Sequence, residues 1–330
     1  MSKKVTIKDI AVLVGVSTAT ISHYLNGNYG KMSETTKKSI ENAIELTNYR
    51  PSAVAKGLAT NEFRIIGVVI ADITNPFIST VMKGVNDACR ENGYAVIFTN
   101  SDNDIRMEMK NINELRQQNV SGIILDSVSA DNPLVKTLDN SDTVMVDRQS
   151  KEVAIDTVVS DNEASTFRFI NYMKKQKYNQ IFFVSLPLTG ISTREQRYIG
   201  FKKALSLVND DNLIILNGES DQLKKKLQNI IQTKQGKVGF FTVNGPTLLR
   251  FMELMNSMNF RYPQDYGIGS YEDLDWMKIL KPGITCIRQD SYGIGKSATN
   301  HLLNKIKSKS YQELARTIEI PTELIYRDSL

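Results

Sequence analysis

Two rhythms of apolar and polar positions divide the chain. Over the first sixty residues, apolar positions recur at helical spacing in short bursts; from Arg64 onward, β-branched runs alternate with longer helical patterns. Ile7, Ile10, Ala11 and Val14 fall on one face of a short helix, with Thr6 as N-cap and Asp9 completing a capping box. Gly15 permits a left-handed turn, Val16 plugs the corner, and Ser17 caps a second helix, Thr18 to Asn26, which stops at Asn26-Gly27. A third helix, from Ser33 or Glu34 to about Leu46, sets Ile40, Ala43 and Ile44 against Lys37 and Lys38 and completes a small core. Helix, glycine turn, helix is the helix-turn-helix pattern. It leaves Thr18, Ala19, Ser22 and His23 exposed near the start of the second helix, where short polar side chains reach base edges in a major groove. Pro51 then suits the first turn of another helix of at most two turns, too short to stand alone and expected to form when two copies pack on DNA.

The remaining residues read as alternating strands and helices. Strands are expected at 65–70, 95–98, 122–125, 143–146, 181–184, 213–216, 238–241 and 267–268, with helices near 77–92 and 104–118 and another opened by Asp161-Asn162. Two sets of this rhythm imply two doubly wound parallel-sheet subdomains, with ligands taken from loops at the carboxyl ends of the strands. Those loops hold Asp72, Asn75, Phe77, Arg148, Asp161, Ser185, Arg194, Arg197, Asn244, Glu272 and Trp276.

Charge sharpens the division. Residues 1–60 hold eight Lys/Arg against four Asp/Glu, while the other 270 hold 33 against 32, so nearly all the net +5 sits in the first sixth of the chain. That asymmetry points to an anionic partner there, or to a lysine-rich terminus with none. No apolar run is long enough to cross a bilayer. Lys3 and Lys4 are not followed by the apolar stretch of a secretory signal. A cytoplasmic protein with Cys89 and Cys286 as free thiols is expected. With two histidines, no nucleophile elbow, no phosphate loop and no metal spacing, neither an enzyme nor a cofactor is expected.

The segments Thr6–Ala11, Gly15–Ser17, Thr20–Asn26 and Tyr49–Leu58 resemble the DNA-binding head and hinge of the LacI/GalR family of bacterial repressors. Asn75-Pro76-Phe77, Val146-Asp147-Arg148, Asp161-Asn162, Arg197–Phe201, Pro282–Thr285, Gln289 and Tyr292–Gly295 resemble its effector domain, itself similar to type 1 periplasmic binding proteins. The resemblance implies a small all-α head at 1–50, a hinge helix and linker at 51–62, and an α/β effector and dimerisation domain at 63–330. Its first lobe would take about 63–158 and 288–315, and its second about 159–287 and 316–330. It implies base reading by Thr18, Ala19 and His23, and phosphate positioning by Thr6, Ser22, Asn26 and Tyr49. Leu58 would wedge into a central minor-groove step. Ser17, Thr20, Ser52, Ala55 and Lys56 complete the expected DNA-facing set. The expected partners are a roughly palindromic double-stranded operator, a second copy of the chain, and a small effector; no membrane is expected.

Two positions depart from the family: Gly245 stands where Asp is usual after Asn244, and Ser270-Tyr271-Glu272 replaces Gly-Tyr-Asp. The effector is therefore read from chemistry. Arg148, Arg194 and Arg197 would place guanidinium forks in one cleft, suited to carboxylate or phosphate. Phe77 and Trp276 could stack on a sugar ring, while Asp72, Asp161 and Glu272 could accept from hydroxyls. A sugar acid or sugar phosphate is expected, unless Arg194 points to solvent and the other two form structural ion pairs. Control by a phosphorylated partner protein, or a sugar-binding role in transport, are the competing readings.

Overall fold

The computed structural model describes residues 5–30, 32–49, 63–129, 133, 135–150, 153–218, 221–308 and 315–330. The chain forms two compact units divided between Arg64 and Ile65. The expected hinge helix, with Ser52, Ala55, Lys56 and Leu58, lies outside the described residues.

The first unit contains α1 (Ile7–Val14), α2 (Thr18–Leu25) and α3 (Glu34–Thr47). Its start is fixed by the full capping box. Thr6 N–H and the Thr6 hydroxyl both donate to Asp9 Oδ2, at 2.8 and 2.7 Å, and Asp9 N–H returns to Thr6 Oγ1 at 3.4 Å. Gly15 ends α1 at φ 73°, a left-handed conformation that costs a glycine little. Ile10, Ala11, Ile21, Ile40 and Ala43 make the core, with Ile7, Val14 and Val16 packed around them.

The second unit has two lobes. In the first sheet β1 (Ile65–Ile70), β2 (Ala95–Asn100), β3 (Gly122–Leu125), β4 (Thr143–Val146), β5 (Thr157–Ser160) and β11 (Thr317–Ile320) lie in the order β11-β5-β4-β3-β1-β2, all parallel. The second comprises β6 (Tyr178–Ser185), β7 (Leu213–Ile215), β8 (Lys237–Thr242), β9 (Gly267–Tyr271), β10 (Thr285–Arg288) and β12 (Glu323–Ile325), in the order β12-β10-β9-β8-β6-β7. Only β12 runs antiparallel there. Helices α4 (Pro76–Glu91), α5 (Ile105–Gln117) and α10 (Ser291–Ser308) cover the first sheet. The second is covered by α6 (Asn162–Lys175), α7 (Ser192–Leu205), α8 (Asp221–Gln232) and α9 (Gly245–Ser257). Strand side chains alternate between faces, so each sheet feeds two apolar clusters. Ile66, Val68 and Ile70 join one and Val69 the other.

The expected lobe boundaries need correction at two places. Residues 316–330 do not all belong to the second lobe: Thr317–Ile320 pairs in parallel with Thr157–Ser160 in the first sheet, and the chain joins the second lobe only at Glu323. Ser160 likewise remains in the first sheet, two residues past the expected boundary at 158. The cause is the burial of β5, whose four residues are all enclosed. An uncovered β5 would present unpaired backbone at the sheet edge, and β11 pairs with it there.

A candidate DNA-reading face and an interlobe cleft

On α2, Thr18, Ala19, Ser22 and His23 are exposed, with the capping Asn26 continuing their side, while Ile21 is turned wholly into the core. Their spacing places them along one stripe. Ser17 Oγ accepts Thr20 N–H at 3.1 Å and lies 2.9 Å from Thr20 Oγ1, so both hydroxyls hold the helix start. Asn26 Nδ2 reaches Ser22 Oγ at 3.5 Å. Tyr49 is half-buried against the head core, and burial raises its phenol pKa.

In the second unit the carboxyl ends of the strands of both lobes meet across a cleft. Arg148, after β4, donates through Nη1 to the carbonyls of Ser127 (2.7 Å) and Val128. Arg197, on α7, is 4 % exposed. It donates Nε to Asn162 Oδ1 (2.8 Å), Nη1 to Val243 O (2.8 Å) and Nη2 to Gln289 Oε1 (3.3 Å), and lies 3.6 Å from the centre of the Tyr271 ring. Arg194 donates to Pro187 O at 2.8 Å. Burial, then the charges of Arg148 and Arg197, lower its pKa to about 10. Among the described residues none of the three forms a direct ion pair with a carboxylate, and Arg194 is half-buried.

The acidic and amide residues expected to accept from hydroxyls are partly committed to local structure. Asp72 Oδ1 accepts from Thr74 N–H (2.9 Å) and hydroxyl (2.6 Å), and Oδ2 from Asn103 (3.0 Å); the bond from the Thr74 hydroxyl leads in lowering its pKa. Asn75 and Asn244 cap α4 and α9 with their side-chain carbonyls. Asp161 Oδ2 pairs with Arg168 at 2.6 Å, while its buried Oδ1 has no partner. Glu272, at φ 80°, accepts Gly245 N–H at 3.0 Å, and burial raises its pKa to about 7. The two departures from the family form one unit, since a Cβ on Gly245 would stand 2.8 Å from Glu272 Oε2.

Phe77 is 4 % exposed and part of the first lobe's core, though its edge borders a cavity of about 230 Å³ with Glu272, Leu274, Gln289 and Tyr292. Trp276 packs on the second lobe's apolar cluster and does not border that cavity. Residues outside the expected set also face this region. Gln289, at the end of the unpredicted β10, leaves Nε2 unpartnered, as are Arg148 Nε and Ser185 Oγ. Asp126 follows β3, where the strand-end rule would have found it; burial raises its pKa to about 7. A larger hollow of about 680 Å³ lies at the opposite ends of the first sheet's strands. Its central Asp156 is already satisfied by His301 (2.7 Å), Lys305 (3.0 Å) and Arg316 N–H (2.7 Å), so the unpartnered polar atoms favour the cleft as the ligand site.

Comparison with known proteins agrees with both parts. Residues 6–52 match the bacterial regulatory proteins of the lacI family, and residues 66–310 match the periplasmic binding protein domain. The chain is 32% identical to the HTH-type transcriptional regulator KdgR of Bacillus subtilis, over 98% of this chain and 97% of that protein. It is 33% identical to the HTH-type transcriptional regulator PtxS of Pseudomonas putida, over 99% and 96%. The lac repressor dimer bound to operator and the anti-inducer ONPF shares the fold at a TM-score of 0.83, with 21% identity over 99% of each chain. With a helix-turn-helix head joined to a two-lobed effector domain, the chain belongs to the LacI family and is a DNA-binding transcriptional regulator governed by a small-molecule effector.

Proposed function

We propose that the protein is a homodimeric repressor of a sugar or sugar-acid utilisation operon, released or recruited by a small acidic, hydroxyl-rich effector held between its lobes. The observation that carries this reading is the approach of Arg148, Arg194 and Arg197 to one cleft without a direct carboxylate ion pair among the described residues. Arg148 and Arg197 both disfavour the charge on Arg194, with Asp147 opposing them, and an anionic ligand would offset that repulsion. Guanidinium forks suit carboxylate and phosphate oxygens. The unpartnered Arg148 Nε, Asp161 Oδ1, Ser185 Oγ and Gln289 Nε2 offer donors and acceptors to hydroxyls.

Two copies about a two-fold axis would present two heads to a palindromic operator, with Thr18, Ala19 and His23 reading bases. Effector-driven change in the lobes would then alter how the hinge segments pair, and the coupling is reciprocal between effector and operator. Calorimetric titration with neutral hexoses, uronates, aldonates and hexose phosphates tests the effector class. An acidic member should bind, and Arg194→Gln should weaken it about tenfold or more, the worth of a charge-assisted hydrogen bond. Binding of a neutral hexose with indifference to every acid would overturn the reading.

A further inference from the structure

Gln149 joins the two lobes at one point. Its backbone N–H donates to Ser192 Oγ at 2.8 Å, and its side-chain Oε1 accepts from Gln196 Nε2 at 3.2 Å; both partners stand on the first turns of α7 in the second lobe. Its Nε2 donates to Thr317 Oγ1 at 2.6 Å, on β11 of the first lobe. The carboxamide is thus fixed at both ends, one in each lobe.

The bonds continue inward. Gln196 Oε1 accepts from Asn162 Nδ2 at 3.3 Å, and Asn162 Oδ1 accepts from Arg197 Nε at 2.8 Å. Every donor points the same way, from Arg197 to Asn162 to Gln196 to Gln149 to Thr317. Each amide gives with its nitrogen and takes with its oxygen, so reversing any one breaks two bonds. Such a polarised series strengthens its own members. It begins at a buried guanidinium in the cleft and ends on the last strand of the first sheet.

We propose that Gln149 is a positioning residue that latches the lobes together, and that the amide series ties the latch to the state of Arg197. The series is built from the protein's own residues; only its use, reporting what Arg197 meets in the cleft, rests on the proposed effector reading. A spatial chain alone does not establish coupling, so the test must measure it.

The experiment uses the full-length, effector-free protein and two readouts. Hydrogen exchange follows opening at residues 188–197, and the Nε–H resonance of Arg197 in arginine-labelled protein follows the far end of the series. Gln149→Ala should raise exchange at 188–197 about tenfold, the opening expected from losing the one side-chain hydrogen bond that crosses to Gln196, and should shift the Arg197 resonance. Gln149→Glu, whose carboxylate accepts from both Gln196 and the Thr317 hydroxyl, should hold exchange at 188–197 near the parent. Thr317→Val, at an exposed strand position, cuts the series at its outer end and should shift Arg197 without unfolding the lobe. Ser129→Ala, which removes a separate cross-lobe bond to Gly190 O (3.5 Å), should leave Arg197 unmoved. Parental exchange in Gln149→Ala would overturn the latch, and an unmoved Arg197 resonance in both Gln149→Ala and Thr317→Val would overturn the series.

Discussion

At the scale of single residues, Gly245 and Glu272 show how a local substitution pair redirects a site. Glutamate is one methylene longer than the aspartate usual there, and its carboxylate takes the place a side chain at 245 would occupy, accepting the Gly245 N–H. Buried there, it holds its proton to about pH 7, above the ordinary 4.5. The folded state therefore binds more protons than the unfolded state between about pH 4.5 and 7, and this group's contribution to stability falls as pH rises through that window. Glu272→Gln should flatten that fall, read as urea midpoints from pH 5 to 8; an unchanged slope would mean the group titrates normally. The same proton bears on the cleft. A neutral Glu272 does not repel an anion, so an acidic effector should bind more tightly at pH 6 than at pH 8, and the difference should shrink in Glu272→Gln. The position of Arg148 after β4 was legible in the sequence because the strand-end rule depends only on β-branched runs and the loops after them, whereas Arg194 and Arg197 stand within α7. The commitments of Asn75, Asn244, Phe77 and Trp276 to caps and cores were not, because the same residue types serve both purposes.

At the scale of elements, the crossing of α4 and α10 is set by two glycines, Gly84 and Gly295. A Cβ on Gly84 of α4 would collide with the carbonyl oxygen of Tyr292, and one on Gly295 of α10 with that of Val81, so the two helices meet backbone to backbone. Gly84→Ala should cost about 1–3 kcal/mol through overpacking, measured by denaturant unfolding of the effector domain. A neutral result would mean that the helices separate freely. The head makes a smaller prediction: Thr6→Ala removes the capping box and should cost about 1 kcal/mol, read from the thermal midpoint of the head. The head's three helices follow the sequence pattern closely, since each begins at a hydroxyl residue that caps it. The strands β5, β10, β11 and β12 escaped that pattern. They are three or four residues long and carry Thr, Ser, Arg or Glu, and their pairing is decided by the neighbouring strand.

At the scale of the whole molecule, the sequence separates the labour before the fold does: the first sixty residues carry a net +4 and the other 270 only +1. Operator binding should therefore fall steeply with salt, as counterions released from DNA phosphates return. Leu58→Ala should weaken operator binding while effector affinity holds, if the hinge wedge inferred from the family operates here. Neither effect tells how the two ends communicate. That question is met most directly by titrating operator binding, by fluorescence anisotropy on a palindromic site from the protein's own promoter region, against neutral sugars, sugar acids and sugar phosphates. An acidic member should shift the operator curve, and operator should shift its binding by the same factor. Tight operator binding that moves with a neutral sugar, or with no member of the panel, would contradict this.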